Sequence, residues 1–179
     1  MKNMTRPLLT IVLTLATAPV FSEEQTPVSS ITNATWTQYS GEYPQSPLCS
    51  KEEITLWSCE IGKRIYSLCS SHTVTHTSGY IQYRASSRGK VVFTYPAERK
   101  PPLGSFVYNS FGNGNASVEF TSNGYGYTLF DSLRGGSSIS VSAPAPSGKQ
   151  TEINCGGNQT LQVNYTMRLM YDSGVWAGY

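Results

Sequence analysis

Residues 117–130 read SVEFTSNGYGYTLF, an alternation of bulky with small or polar side chains interrupted once, at Asn123-Gly124. Asn-Gly is the preferred pair for a two-residue type I′ turn, because both central positions need a positive φ. With the turn there, Phe120 faces Tyr127 and Val118 faces Leu129, so four large apolar side chains share one face. Turn chemistry and hydrophobic pattern agree on one register. An antiparallel hairpin with a buried face is therefore the unit from which the fold is built.

The pattern recurs along the chain. Residues 79–84 and 91–95 predict a second hairpin with its turn inside residues 86–90, ended by Pro96 and Lys100-Pro101-Pro102. Residues 106–111, 138–142 and 151–155 alternate as further strands, and residues 143–148 (APAPSG) form a loop that cannot continue a ladder. Residues 161–171 read as a last strand or a short helix. Turn residues at intervals of about ten positions, with 12 tyrosines and 16 glycines, mark an all-β chain. The expected fold is a single antiparallel β sandwich or barrel of about eight to ten short strands over residues 47–179, stapled by disulfides.

Residues 1–22 read as an export signal. Lys2 and Arg6 precede a short apolar run, and Val20 and Ser22 stand at the −3 and −1 positions of a cleavage site before Glu23-Glu24. The run is shorter than the roughly 20 residues a membrane span needs, so an uncleaved anchor fits less well, and no later stretch is long and apolar enough to span. Residues 23–46 read as a flexible polar lead-in. The expected location is the periplasm or the extracellular space, with no membrane span in the mature form.

Cleavage at that point removes two of the 13 basic residues and none of the 11 acids, leaving a formal charge of zero. A general attraction to nucleic acid or anionic lipid is therefore not expected. The charge is unevenly placed: residues 23–60 carry six acids against Lys51, and residues 63–100 carry seven bases against Glu98. The second segment either steers an anionic partner or supplies solvated strand ends.

Cys49, Cys59 and Cys69 fall at an even pitch, with Cys155 far downstream. A structural zinc site wants paired ligands about two to four residues apart, and a redox pair wants Cys-x-x-Cys; neither pattern is present. Four cysteines in an exported chain imply a disulfide framework. A turn at Gly62-Lys63 sets Cys59 opposite Tyr66 and Cys69 opposite Leu56, on opposite faces, so a Cys59–Cys69 bridge is hard to close. Cys59 shares its face with Trp57, Ile61, Tyr66 and Leu68, and Cys155 shares its face with Ile153. The expected pairs are Cys59–Cys155 through the core and Cys49–Cys69 pinning the lead-in, and a one-residue slip of the turn would reverse the faces.

Catalytic patterns are sparse. There is no Gly-x-Ser-x-Gly and no His-Glu-x-x-His. His72 and His76 lie in a Ser/Thr-rich run and stand some 13 Å apart on an extended chain, at roughly 3.3 Å per residue. They read as a polar loop, and no metal site is expected. Gly112-Asn113-Gly114-Asn115 and Ser147-Gly148-Lys149-Gln150 each lack a glycine of the phosphate-binding fingerprints, so no cofactor is expected. A carboxylate pair for glycoside hydrolysis could be drawn from Glu119, Asp131 and Glu152. Asn33, Asn115, Asn158 and Asn164 begin glycosylation sequons, meaningful only in a glycosylating pathway. Tyr80, Phe111, Tyr125 and Trp176 stand at turns or near a terminus, where such rings either recognise protein or sugar or cover the core.

Residues 48–50, 56–59 and 66–69, followed by Gly79-Tyr80-Ile81-Gln82-Tyr83-Arg84, resemble a group of uncharacterised exported proteins of Gram-negative bacteria, over about the first half of the mature chain. Trp57-Ser58-Cys59 with Gly62-Lys63 is also similar to the Tyr-x-Cys strand of membrane-bound lysozyme inhibitors. That second resemblance implies a periplasmic β-barrel that plugs a hydrolase cleft. The expected function is an exported, non-catalytic binding or inhibitor module acting by surface complementarity on a protein or glycan of the cell envelope. Its contacts would be Arg84, Arg88, Lys90, Tyr80, Tyr125 and Trp176. The alternatives are a small cell-envelope hydrolase using a carboxylate and a structural surface component.

Overall fold

The computed structural model describes residues 45–75, 77–112, 115–132 and 135–155. The export signal, all but the last two residues of the lead-in, His76, residues 161–171 and Trp176 lie outside the described residues.

Among the described residues, nine antiparallel strands form two sheets. The first holds β1 (Glu53–Ile61), β2 (Arg64–Ser71), β3 (Ile81–Ser87) and β4 (Lys90–Tyr95). The second holds β5 (Val107–Ser110), β6 (Ala116–Ser122), β7 (Tyr125–Asp131), β8 (Ser138–Ser142) and β9 (Gln150–Asn154). Within each sheet every strand pairs with its neighbour in sequence, so both are simple meanders. Of the sandwich or barrel expected from alternation, the all-β class is borne out, as two facing antiparallel sheets.

The hairpin at 117–130 has the expected register. Phe120 pairs with Tyr127 and Val118 with Leu129, and the turn residues Asn123 and Gly124 have φ of 51° and 79°. The β3–β4 turn falls at Arg88-Gly89, again with both φ values positive. An arginine at φ 50° is strained relative to the glycine beside it.

Two bulges depart from plain alternation. On β1 the register shifts between Thr55 and Trp57, so Cys69 pairs with Thr55 and not, as expected, with Leu56. Leu56 is the extra residue, which lets Leu56 and Trp57 both be fully buried. On β4 the register shifts between the partners of Ala85 and Ser86, leaving Val92 as the extra residue beside Phe93 and Val91. Bulges of this kind bend an edge strand and spoil its ladder.

The inner faces of the two sheets meet in one core that includes Leu56, Trp57, Leu68, Ile81, Tyr83, Val118, Leu129 and Ile139. At the β4 end, aromatic rings form a column. Phe93 stacks on Tyr127 with centroids 5.4 Å apart, Tyr127 on Phe120 at 4.7 Å, and Phe120 on Tyr95 at 4.5 Å. Phe106 meets Tyr95 and Phe120 edge-on. At the β1 end, Trp57 donates its indole N–H to Ser137 Oγ at 3.1 Å, and Ser137 donates to Asp131 Oδ1 at 3.0 Å. Burial raises the phenol pKa of Tyr83 in the middle of this core.

Cys59 is bonded to Cys155 and Cys49 to Cys69, the pairs that the faces of β2 imply. The bulge on β1 does not disturb that inference, because Tyr66 and Cys69 are three residues apart on β2 and so face opposite ways whatever lies across from them. Two disulfides fit an oxidising, exported environment.

The bridges close loops of very different length, with sequence separations of 96 and 20. Chain-entropy reasoning gives about 4–5 kcal/mol for the longer loop and about 3 kcal/mol for the shorter. Urea unfolding should show the Cys59→Ala/Cys155→Ala pair of substitutions to be the more damaging by roughly 1 kcal/mol. Equal losses, or a larger loss for Cys49→Ala/Cys69→Ala, would show that strain or contacts outweigh loop length.

Candidate functional site

The charges of the outer face of the first sheet are joined in one network. Glu53 on β1 has a fully buried side chain and receives a two-pronged contact from Arg84 on β3, with Nη1 2.6 Å from Oε2 and Nη2 2.7 Å from Oε1. The two strands are not neighbours, so the pair lies across β2. The outward residues of β2 there are Ser67, Cys69 and Ser71, small enough to leave room. Arg84 also donates to Leu48 O at 2.7 Å and Gln82 Oε1 at 2.6 Å. Glu53 accepts further bonds from the Ser50 amide and the Tyr80 hydroxyl, each at 2.7 Å. Arg99 reaches Glu53 Oε1 at 3.4 Å while its guanidinium lies 4.7 Å from the Tyr80 ring centroid.

Segment 45–50 covers this network. The Ser46 amide donates to Thr55 Oγ1, the hydroxyls of Ser46 and Ser67 share a short hydrogen bond, and Cys49 is held by Cys69. Gln82 ties the far side through Nε2 to Pro96 O at 2.9 Å. Cys49, Glu53 and Cys69 bring three potential ligand atoms within 4.8 Å of one another. Both sulfurs are in a disulfide, so they offer no thiolate, and the cluster is not a metal site.

Arg84 and Tyr80, expected to contact a partner, are both bonded to Glu53. Arg84 is held by a buried carboxylate, and Tyr80 is half-buried with its hydroxyl on the same group. The residue that sequence reasoning missed is Glu53, whose only visible signal was its place in an acid-rich segment preceding a base-rich one. Arg88 and Lys90 do sit on the surface, at the β3–β4 corner, beside Val91 and Val92, which are 53% and 65% exposed. Tyr125 is 42% exposed at the β6–β7 turn.

The candidate carboxylates are dispersed. Pairing runs Glu119 to Thr128 to Ser140 to Glu152 across β6–β9. Glu119 and Glu152 therefore lie three strand spacings apart, roughly 14 Å between backbones at about 4.8 Å each. Asp131 is buried and bonded by Ser137 within the sandwich. His72 is exposed just beyond β2.

A cleft of about 430 Å³ opens where β5 stops short of the end of β6. Tyr95, Phe106, Phe120 and Tyr127 line it, with Ser105 and Glu119 among its polar groups. No motif announced it, because its lining comes from β4, the 104–107 bend and three strands of the other sheet.

The chain matches no family model, no curated protein and no solved structure.

Burial alone would raise the pKa of Glu53, but bonds from Arg84, the Ser50 amide and Tyr80 outweigh it and hold the carboxyl at about 2, against an ordinary 4.5. A folded pKa below the unfolded one gives stabilisation that is complete above about pH 4.5 and lost as pH falls toward 2. The difference corresponds to about 3 kcal/mol. Urea unfolding between pH 5 and pH 2 should show Glu53→Gln less stable than wild type at pH 5, with the gap narrowing by about that amount at pH 2. Parallel pH profiles would place the carboxylate outside the buried pair.

Proposed function

We propose that the chain is an exported, non-catalytic binding module that engages a protein of the cell envelope or secreted fraction through the β3–β4 corner. The observation that carries this reading is the contrast between the cations of the base-rich segment. Arg84 is consumed by Glu53, whereas Arg88 and Lys90 project from a corner that also exposes two valines. An apolar pair rimmed by cations suits an acidic, partly apolar surface.

The bulge at Val92 decides how such contact is made. It spoils the β4 edge as a template for strand addition, so recognition rests on side chains, which is surface complementarity. The turn is short, and Ala85 pairs with Phe93 of the aromatic column just behind it. The corner is thus presented on a rigid base, which lowers the entropy lost on binding.

The resemblance to lysozyme inhibitors would make the partner a hydrolase. Trp57 and Cys59, which carry that resemblance, are both fully buried, so they maintain the fold while the corner selects the partner. An export signal at residues 1–22 and a working place in the periplasm or outside the cell complete the proposal.

A photo-crosslinking residue placed at Val92 should capture a discrete protein from envelope and secreted fractions, and the same residue at exposed Lys149 should not. Arg88→Glu/Lys90→Glu should reduce that capture at least about tenfold, since two reversed charges at a contact oppose an acidic surface. Equal capture at both positions, or capture indifferent to charge reversal, would overturn the assignment.

A further inference from the structure

The cleft beside β5 has the features of a site in its own right, separate from the β3–β4 corner. It lies at the Tyr95 end of β4, whereas Arg88 and Lys90 sit at the other end of that strand. Pairing of β5 with β6 runs only from Val107–Glu119 to Ser110–Ala116. Among the described residues, the stretch from Phe120 to Ser122 therefore has no strand on that side, and the 104–107 bend crosses beside it.

Ser105 gives the cleft a chemical direction. Its residue is 4% exposed, and its Oγ is the buried side-chain oxygen that, among the described residues, makes no hydrogen bond. Its own carbonyl is engaged, accepting from the Tyr95 hydroxyl at 3.1 Å, so the backbone there is fixed while the side chain is not satisfied. A buried orphan hydroxyl costs about 1–3 kcal/mol, and the fold bears that cost in the wall of a cavity large enough for a ligand.

The remaining lining narrows the class. Glu119 presents an acceptor whose Oε1 is oriented by the Ser117 hydroxyl at 3.1 Å. Among the described residues no lysine, arginine or histidine lines the cleft, so those residues offer a phosphate or carboxylate ligand no countercharge. The partly exposed rings of Tyr95 and Tyr127, backed by buried Phe106 and Phe120, supply apolar surface, and Thr121, Thr128 and Ser142 supply hydroxyls. A molecule with C–H faces for the rings and several O–H donors for Glu119 meets all of these groups at once.

We infer that this cleft binds a neutral saccharide of one or two rings, with Ser105 Oγ and Glu119 as the orienting hydrogen-bond partners and Tyr95 and Tyr127 as the apolar floor. The ligand satisfies the hydroxyl that the empty fold leaves unpaired, so Ser105 serves binding at the expense of stability.

The disulfide-bonded protein, isotopically labelled, can be titrated with maltose and with N,N′-diacetylchitobiose, alongside glucuronic acid as an anionic probe and phenol as an apolar one. At least one neutral disaccharide should move the amide signals of residues 104–107 and 119–121 and bind more tightly than either control. Ser105→Ala should weaken that affinity about tenfold while leaving the thermal midpoint unchanged or higher, because the substitution removes an unsatisfied group. Glu119→Gln, on the partly exposed outer side, should weaken it by a similar factor without unfolding the chain. Absence of shifts with both disaccharides, preference for glucuronic acid or phenol, or a Ser105→Ala protein that binds as well as wild type would each overturn the inference.

Discussion

The ion pair between Glu53 and Arg84 is the contact on which the outer half of the molecule is organised. Charges withdrawn from water are tolerable only when every lone pair and N–H is occupied. Here that requirement recruits Leu48 and Ser50 from the segment before β1, Gln82 and Tyr80 from β3 and its approach, and Arg99 from beyond β4. The Cys49–Cys69 bridge keeps the covering segment in place over β2, where serine and cysteine side chains leave room for the pair. The result is a sheet that is apolar toward its partner sheet and, around the ion pair, covered on its outer face by its own polar flanking segments.

The inner side is secured differently at its two ends. Near β1, a covalent bond from Cys59 to Cys155 and the Trp57–Ser137–Asp131 chain join the sheets. Near β4, nothing covalent joins them, and the column from Phe93 to Tyr95 through Tyr127 and Phe120 supplies the contact. Stacked rings contribute roughly 0.5–1.5 kcal/mol per pair beyond their buried area. Directional ring packing thus stands in at one edge for the disulfide at the other.

What could be read from the sequence was whatever depends on neighbours along the chain. Asn123-Gly124 specified its turn and register, and the parity of Tyr66 and Cys69 on β2 separated the two disulfides. The bulges at Leu56 and Val92 were not visible, because an inserted residue in an apolar run looks like one more apolar residue. The pairing of Arg84 with Glu53 was hidden for a related reason. The alternation position of the arginine showed that it faced away from the core, but outward means exposed only if nothing covers the face. The acid that claims it lies 31 residues earlier, on a non-adjacent strand. The cleft was beyond reach as well, since it arises from a mismatch of strand lengths and not from any motif.

That mismatch connects fold to function. β5 has four residues and β6 has seven, so a meander that elsewhere covers its own strands leaves part of β6 bare. Elsewhere buried polar groups are paired with care: a carboxylate held by four donor residues, an indole N–H relayed to an aspartate, and a glutamine amide on a proline carbonyl. Among the described residues, a sequence that satisfies these groups and yet retains an unpaired hydroxyl at Ser105 departs from its own rule at one place, and that place is in the wall of a cleft. Because local inconsistency in a folded protein concentrates where selection has acted on something other than stability, the cleft stands apart from the remaining turns and edges as a site.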